Sequence, residues 1–224
     1  MLRDSAATVL LCHASQVEVG ARAAAAVGIP VVVLGAPAAD LAPAMPRMRD
    51  LVEQGSPLPT FVTRQAEDAA VIFYTSGTTG ASKGAVLTQV NLVMNVTVGV
   101  YDALETSPQD IGLGCLPLFH VFGQSVSMNG AFRRGSTLVL LPRFSGEAAI
   151  DTMLTEGVNS FHGVPTMYIG MLAAAQGRTE LPTLRYCVSG GAPLPTSVLH
   201  RFQDAFGTTI YQGYGLSETS PTAT

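Results

Sequence analysis

Apolar segments that are typical of buried strands alternate with segments of helical periodicity along most of this 224-residue chain. The six strand-like segments are 8–13, 31–35, 70–76, 136–142, 184–191 and 208–215. The five helix-like segments are 16–27, 89–104, 146–156, 165–176 and 195–206. This alternation predicts a layered α/β fold with mainly parallel sheets. Residues 36–69 contain five prolines and few periodic apolar positions, which indicates a connecting segment or a loop-rich surface.

Composition excludes several classes of protein. Hydrophobic residues make up 47% of the chain, charged residues make up 12%, and the formal net charge is -4. A broad basic surface for nucleic acid is therefore not expected. The longest uncharged run, residues 23–39, contains two glycines and two prolines, so it predicts a helix end, a turn and a buried strand rather than a membrane span. Three widely spaced cysteines and the lack of a signal-peptide pattern lead us to expect a cytoplasmic protein.

The stretch YTSGTTGASKG, residues 74–84, gathers hydroxyl side chains, glycines and one lysine at the end of a strand-like segment. Glycines let backbone amides approach an anion, hydroxyls donate further hydrogen bonds, and Lys83 supplies a mobile point charge. Because ligands of open α/β sheets bind at the carboxyl ends of strands, a polyphosphate is the expected ligand. The spacing is not that of a Walker A loop, since glycine follows Lys83. A solvent-exposed turn of small residues is the alternative.

Two later stretches also suit a nucleotide. In YQGYGLSETSP, residues 211–221, Tyr214 lies between two glycines and Glu218 follows four residues later. An aromatic ring can stack on a flat base, and a carboxylate can hold a cation that neutralises phosphate oxygens. In CVSGGAPLP, residues 187–195, two glycines let the backbone approach a planar ligand. A plain turn with a surface glutamate is the alternative for 211–221.

Five stretches occur in an order that resembles the adenylate-forming superfamily. They are YTSGTTGASKG, LPLFHVFG, GVPTMY, SGGAPL and QGYGLSE. The superfamily includes acyl-CoA synthetases, firefly-luciferase-like enzymes and adenylation domains of nonribosomal peptide synthesis, and the chain most resembles bacterial long-chain-fatty-acid–CoA ligases. The resemblance implies a layered αβαβα fold with two subdomains and mainly parallel sheets. It divides the chain into residues 1–108, with the phosphate loop, and 109–224, with the adenine and acyl pockets.

The resemblance also implies a nucleotide site. The implied phosphate loop, which closes over the β and γ phosphates of ATP, consists of Thr75, Ser76, Gly77, Thr78, Thr79, Gly80 and Lys83. The implied adenine site consists of Gly191, Ala192, Pro193, Gly213, Tyr214 and Gly215, with Tyr214 stacking on the base. Ser217 stands near the α-phosphate, where the family usually has threonine, and Glu218 is the implied magnesium ligand. His120 is implied at the junction of the acyl pocket and the nucleotide.

The activity that the resemblance implies is ATP-dependent activation of a fatty acid and transfer of the acyl group to coenzyme A. The implied cofactors are ATP, Mg²⁺ and coenzyme A, and the implied catalytic residues are Lys83, His120 and Glu218. Catalysis then depends on positioning and charge stabilisation, without a nucleophile from this chain. No nucleic-acid partner is expected, while peripheral membrane association through the substrate and the oligomeric state stay open.

The acid's tail is expected along residues 119–130, 161–167 and 213–215. Three glycines would leave space for it: Gly123, Gly163 and Gly213. Family members continue beyond the last motif into a small C-terminal domain with a catalytic lysine, so the resemblance implies that this chain is the central piece of a larger enzyme and lacks that domain. An acyl-AMP ligase, an aryl-CoA ligase and a non-catalytic nucleotide-binding or acyl-binding module are the alternatives.

Overall fold

The computed structural model describes residues 1–35, 45–58, 60–76, 80–104 and 106–224. The chain divides into two compact units. The first unit contains residues 1–64 and 76–84, and the second contains residues 65–75 and 85–224. The subdomain boundary predicted at residue 108 falls inside the second unit, ahead of its largest sheet, and it stays a prediction. No helix within the described ranges is long and apolar enough to cross a membrane.

The first unit contains a parallel pair of strands, β1 (Leu10–His13) and β2 (Val31–Leu34), joined through helix α1 (Val17–Ala25). A second helix, α2 (Met48–Gln54), lies in the stretch that was predicted to be a connecting segment or a loop-rich surface. The second alternative was wrong over these seven residues. Its three apolar residues, Met48, Leu51 and Val52, have helical spacing, but they cover a single turn and none of the residues of α2 is buried, so the pattern was too short to indicate a helix.

Strand β3 (Ala69–Thr75) lies in the second unit and pairs with β4 (Lys83–Thr88), whose residues 85–88 also belong to that unit. Helix α3 (Gln89–Val98) follows β4 and continues into a π-helical turn over Gly99–Ala103. Thr88 and Asn91 start α3 with a reciprocal capping box, in which each side chain accepts a hydrogen bond from the other residue's backbone N–H. The predicted helix at residues 89–104 is therefore present. Strand β4 was not predicted, because its first residues were assigned to the phosphate loop.

A five-stranded parallel sheet forms the largest part of the second unit. Its strands are β5 (Ile111–Gly114), β6 (Thr137–Leu140), β7 (Ser160–Gly163), β8 (Tyr186–Ser189) and β9 (Ile210–Gln212), in the order β6-β5-β7-β8-β9. All neighbouring strands run in parallel, as the alternation of strands and helices predicted. Strands β5 and β7 were not predicted, since the sequences IGLG and SFHG contain glycine and polar residues.

Four helical segments connect the strands of this sheet. They are a π-helical segment (Phe122–Asn129) that continues into α4 (Gly130–Arg134), then α5 (Gly146–Glu156), α6 (Pro165–Ala174) and α7 (Thr196–Phe206). The last three match their predicted segments closely. The segment at 122–134 was not predicted to be helical.

Aromatic side chains from the sheet and the helices form the centre of the core. Tyr168 of α6 packs edge-on against Phe161 of β7 and Phe202 of α7, with ring centroids 5.2 and 4.9 Å apart. All three side chains are fully buried. The Tyr168 hydroxyl donates a hydrogen bond of 2.8 Å to the Val188 carbonyl, so its polar atom is satisfied inside the core. This packing fixes the carboxyl ends of β7 and β8 next to each other.

Candidate active site

A cavity of about 570 Å³ opens in the second unit at the carboxyl ends of β8 and β9. Its wall includes Gly190 and Gly191, which follow β8, and residues 211–218, which end β9 and continue beyond it. Parallel strands direct their following loops to one edge of the sheet, which is where ligands bind in open α/β folds. The volume lies in the usual range for small-molecule sites, about 300–1,000 Å³.

One part of the cavity wall is apolar. Its apolar side chains are Val96, Val100, Ala103, Leu104, Val121, Phe122, Val126 and Val188. Half of them come from the two π-helical segments, 99–103 and 122–129. A π-helical turn is wider than an α-helical turn and is frequent at functional sites, so both segments mark this wall as a binding surface.

The other part of the wall carries half of the sixteen predicted site residues. The cavity is lined by Thr75, His120, Gly191, Gly213, Tyr214, Gly215, Ser217 and Glu218. Thr75 is the last residue of β3, and His120 lies on the connection after β5. The structure thus brings together residues from four separate sequence motifs. Ala192 and Pro193 follow Gly191 but are exposed and do not line the cavity.

The remaining predicted site residues belong to the phosphate loop. Ser76, Gly80 and Lys83 lie in the first unit, where all three are exposed. Gly80 has a positive φ of 93°, and Lys83 is the first residue of β4 rather than a loop residue. The predicted phosphate ligands Gly77, Thr78 and Thr79 lie outside the described residues.

Backbone hydrogen bonds hold the Tyr214 segment at the cavity. Tyr214 donates its N–H to the Thr224 carbonyl at 2.9 Å, and its own carbonyl accepts from Ala223 at 2.9 Å. The side chain of Tyr214 stays 63% exposed. A ring on a fixed backbone that faces an open cavity is suited to stacking on a planar base. Gly191, which also lines the cavity, has a φ of 81°, a conformation that favours glycine.

Gly215 and Asn95 position the segment that carries Glu218. A side chain at Gly215 would lie 2.0 Å from the Pro221 carbonyl oxygen, so glycine permits this close approach of two backbones. Asn95 of α3 donates its side-chain amide to the carbonyls of Thr219 and Thr222, at 3.2 and 2.8 Å. Both contacts flank Glu218 on its carboxyl-terminal side, so α3 anchors the segment. Sequence reasoning missed Asn95, because its partners lie 124 and 127 positions later in the chain and no local pattern indicates such a contact.

The Glu218 carboxylate fits the predicted role of a magnesium ligand. Glu218 lies in a short 3-10 turn, is exposed and lines the cavity. Its side chain forms no hydrogen bond or ion pair with the described residues. No group of three or more potential metal-ligating side chains occurs in the described part of the chain. A single carboxylate suits Mg²⁺ that is bound mainly by substrate phosphates.

Two histidines line the cavity in different environments. His120 is exposed, and its Nδ1 accepts a hydrogen bond of 3.1 Å from the Phe122 backbone N–H, which orients the ring. His162 of β7 is packed more tightly, and burial lowers its pKa from 6.5 to about 4. His162 is therefore a neutral imidazole near pH 7. Residues 161–167 were expected to contact the acid, and His162 is their only member on the cavity wall.

The glycines that were expected to make room for the acid have different roles. Gly213 lines the cavity and faces open space. Gly123 and Gly163 do not line it, and this expectation was wrong for both. A side chain at Gly123 would lie 2.4 Å from the Pro117 carbonyl oxygen, and one at Gly163 would lie 2.6 Å from the Phe161 ring. These two glycines allow close internal packing instead.

Two of the cysteines are unsuited to nucleophilic chemistry. Burial raises the pKa of Cys115 and of Cys187 to about 12. Both thiols therefore stay protonated near neutral pH, whereas a cysteine nucleophile reacts as the thiolate. Their burial fits a packing role inside the second unit.

The profile of the AMP-binding enzyme family matches residues 1–224. The chain belongs to this family. It is 37% identical over 158 residues to a long-chain-fatty-acid–CoA ligase of Bacillus subtilis (strain 168), a match that covers 69% of this chain and 28% of that protein. It is 35% identical over 156 residues to a feruloyl-CoA synthase of Amycolatopsis sp, covering 69% of this chain and 31% of that protein.

Solved structures show the same fold. The crystal structure of ATP-bound MatB from Rhodopseudomonas palustris superimposes with a TM-score of 0.81 at 29% identity. That match covers 98% of this chain and 42% of the other. The layered α/β architecture expected from the motifs is therefore confirmed. The chain spans about a third of the length of the two curated relatives that it matches.

Proposed function

We propose that the protein activates a carboxylic acid with ATP and transfers the acyl group to coenzyme A. One observation carries this proposal: a single cavity combines an apolar wall with the edge that holds Tyr214 and Glu218. An acid and a nucleotide bound side by side there would have their reacting atoms in contact. Membership of the AMP-binding family and the CoA ligases among the relatives support this assignment.

The proposed reaction has two steps. In the first, a carboxylate oxygen of the acid attacks the α-phosphorus of ATP, and pyrophosphate leaves with the electron pair of the broken P–O bond. In the second, the sulfur of coenzyme A attacks the acyl carbonyl carbon, the thiol proton is lost, and AMP leaves. No group of the protein becomes covalently modified, so the protein contributes positioning and charge stabilisation.

Each residue on the cavity wall has a proposed task. Tyr214 stacks on the base, Ser217 donates its hydroxyl to the α-phosphate, and His120 orients the reacting carboxylate from its fixed ring. Glu218 holds Mg²⁺, which when bound neutralises phosphate charge as pyrophosphate leaves. Lys83 and the phosphate loop are proposed to bind the β and γ phosphates, by the family resemblance of their sequence.

The lack of cationic side chains on the described cavity wall supports one class of acid substrate. Among the described residues that line the cavity there is no lysine or arginine. An acid with a second anionic group would lose its hydration without gaining a counter-ion, which is costly in a partly buried site. The cavity therefore favours a monocarboxylic acid with an uncharged body. A fatty acid is the first candidate, and an aryl acid such as a cinnamic acid is the second.

Acid-dependent exchange of pyrophosphate into ATP tests the first step, and mass spectrometry of the CoA thioester tests the second. Both are measured on the full-length protein with hexanoate, dodecanoate, cinnamate and malonate. We expect exchange with the first three acids and little with malonate. Glu218→Gln should lower the rate about 10- to 100-fold, as expected for the loss of a charge-assisted contact. Glu156→Gln, the same change on an exposed glutamate of α5 away from the cavity, is the matched control.

The absence of exchange with every acid, together with intact ATP binding, would favour a binding module over an enzyme. Thioester formation with a carrier protein but not with coenzyme A would favour an acyl-AMP ligase.

We also propose a cytoplasmic location, which the three free thiols Cys12, Cys115 and Cys187 support because such thiols persist in reducing compartments.

A further inference from the structure

A second cavity, of about 30 Å³, adjoins the large one. Four residues line both cavities: Thr106, Val126, Gly130 and His162. The wall of the small cavity is rich in polar side chains, namely Asp110, Ser127, Ser136, Thr137, Ser160 and Tyr186. Its volume is sufficient for one water molecule or one group of similar size, such as a hydroxyl, since a water needs about 10–15 Å³ by this measure. The apolar part of the large cavity therefore ends at a small polar recess.

His162 has an unused hydrogen-bonding atom at this recess. Its Nδ1 lies 3.2 Å from the Ser127 hydroxyl oxygen, whereas its Nε2 is buried and has no partner among the described residues. A neutral imidazole carries one donor and one acceptor, so the Ser127 contact leaves one function at Nε2 unsatisfied. Buried polar atoms without a partner are rare in folded proteins. A bound water or ligand group at the recess would supply the partner that the described residues do not supply.

Two of the neighbouring polar groups, Thr106 and Asp110, already have partners of their own. The Thr106 hydroxyl donates to the Val100 carbonyl at 2.9 Å, and the Asp110 carboxylate accepts two hydrogen bonds from Arg185. No lysine or arginine is among the described residues that line the recess. An anionic or cationic group would therefore lack a free counter-ion there, while a neutral hydrogen-bonding group would not need one.

The recess lies away from the nucleotide edge, because none of the residues predicted to bind ATP lines it. An acid whose carboxylate lies near His120 and Glu218 would extend its body along the apolar wall. Its remote part would then reach Val126 and His162, which belong to both cavities.

We propose that the preferred acid carries a neutral hydrogen-bonding group, of which a hydroxyl is the simplest, on the part remote from its carboxylate, and that His162 recognises this group. This inference rests on the proposed function and narrows its substrate class to hydroxylated monocarboxylic acids. His162 is a specificity-determining residue in this proposal, since it contacts the substrate but not the reacting atoms.

Matched pairs of acids that differ by one hydroxyl test the proposal on the full-length protein. The pairs are cinnamate with 4-hydroxycinnamate and hexanoate with 6-hydroxyhexanoate, and the readout is kcat/KM for pyrophosphate release. We expect the hydroxylated member of at least one pair to be preferred about tenfold, the gain typical of a satisfied hydrogen bond. His162→Phe should remove this preference by raising the relative rate of the unsubstituted acid, and His162→Gln should retain part of it.

His200→Phe is the matched control, since His200 is exposed on α7 and lines neither cavity. Equal kcat/KM within twofold for both pairs in the unmodified protein would overturn the proposal, even if His162→Phe fails to fold. A preference that persists in His162→Phe would also overturn it and would leave the recess as a site for water only. If no acid of the panel reacts, the proposed function fails for these acids. The role of His162 is then tested by calorimetry, which compares the binding affinity of each hydroxylated acid with that of its unsubstituted partner.

Discussion

The Arg185 guanidinium donates two hydrogen bonds to the Asp110 carboxylate, from Nε to Oδ1 at 3.0 Å and from Nη2 to Oδ2 at 2.5 Å. Asp110 directly precedes β5 and Arg185 directly precedes β8, and β7 lies between these strands in the sheet. The Asp110 side chain is 5% exposed, and it also accepts a hydrogen bond from the Ser107 backbone at 2.7 Å. The pair thus joins the amino ends of β5 and β8, and the carboxyl end of β8 borders the candidate site.

Replacing Arg185 with glutamine should therefore destabilise the second unit. The buried Asp110 carboxylate would lose its only ion pair among the described residues. Because Arg185 is itself 43% exposed, we expect a loss of about 2 kcal/mol in the free energy of unfolding, less than for a fully buried pair. Urea denaturation measures this loss. Arg178→Gln is the control, since its partner Asp151 is 63% exposed and such pairs contribute about 0–1 kcal/mol. Equal losses in the two variants would contradict the prediction.

The depressed pKa of His162 predicts a pH dependence of stability. Its folded-state pKa of about 4 lies below the ordinary value of 6.5. Between these pH values the unfolded chain binds a proton at His162 that the folded protein does not bind. The free energy of unfolding therefore decreases as the pH falls from 6.5 towards 4. His162→Phe cannot titrate and should flatten the stability profile in this window. Urea denaturation at several pH values measures the slope, and an unchanged slope in the variant would refute the assignment.

Asn95→Ala should weaken nucleotide binding more than it weakens the fold. The substitution removes the amide that holds the carbonyls of Thr219 and Thr222, and so it frees the segment that carries Glu218. We expect about a tenfold loss of magnesium-dependent ATP affinity, because a carboxylate that is no longer held must be ordered on binding. Calorimetric titration with and without Mg²⁺ gives this loss. A loss of the same size without Mg²⁺ would show that Asn95 acts on something other than Glu218.

The sequence predicted those parts of the fold that have a local signal. Helix α5 matches its predicted segment, 146–156, because a capping serine precedes its apolar positions and a glycine ends it. Strands β5 and β7 have no such signal, since they are set by neighbouring strands rather than by their own residues. The positions of the polar motif residues on the cavity wall were indicated by the family resemblance of their motifs and not by a local structural signal. The apolar wall and the recess at His162 were not predictable, because they depend on which helices meet across the sheet.

Gly215→Ala should lower the free energy of unfolding, because the position has no room for a methyl group. The added methyl group would meet the Pro221 carbonyl, so the segment that carries Glu218 must move away from its present position. We expect a loss of about 1–3 kcal/mol in the free energy of unfolding, as for other overpacked positions. Gly213→Ala, two residues earlier, is the stability control, since a methyl group there would face open space. Equal unfolding free energies for the two variants would mean that the contact between Gly215 and Pro221 is not retained in solution.

Lys83 offers a direct test of the proposed phosphate loop, because it is the only lysine in the 224-residue sequence. Acylation with an amine-selective reagent, followed by mass spectrometry of the peptide that contains Lys83, reports how accessible this amine is. The free protein should react readily, since Lys83 is exposed in the structure. Saturating ATP with Mg²⁺ should protect the amine, because a lysine that contacts phosphate oxygens is shielded from the reagent.

The proposed contact between Lys83 and the ATP phosphates predicts that Lys83→Ala lowers acid-dependent exchange of pyrophosphate into ATP. The loss of one charge-assisted hydrogen bond costs about 1.5–3 kcal/mol, which corresponds to a decrease of about 10- to 150-fold. Lys83→Arg keeps the charge and should keep part of the exchange, which separates the loss of charge from a disturbance of β4. Adenosine with Mg²⁺ is the control ligand for the labelling experiment, since it occupies a base site without offering phosphate. Protection by adenosine equal to that by ATP, or unchanged exchange in Lys83→Ala, would exclude Lys83 from phosphate binding.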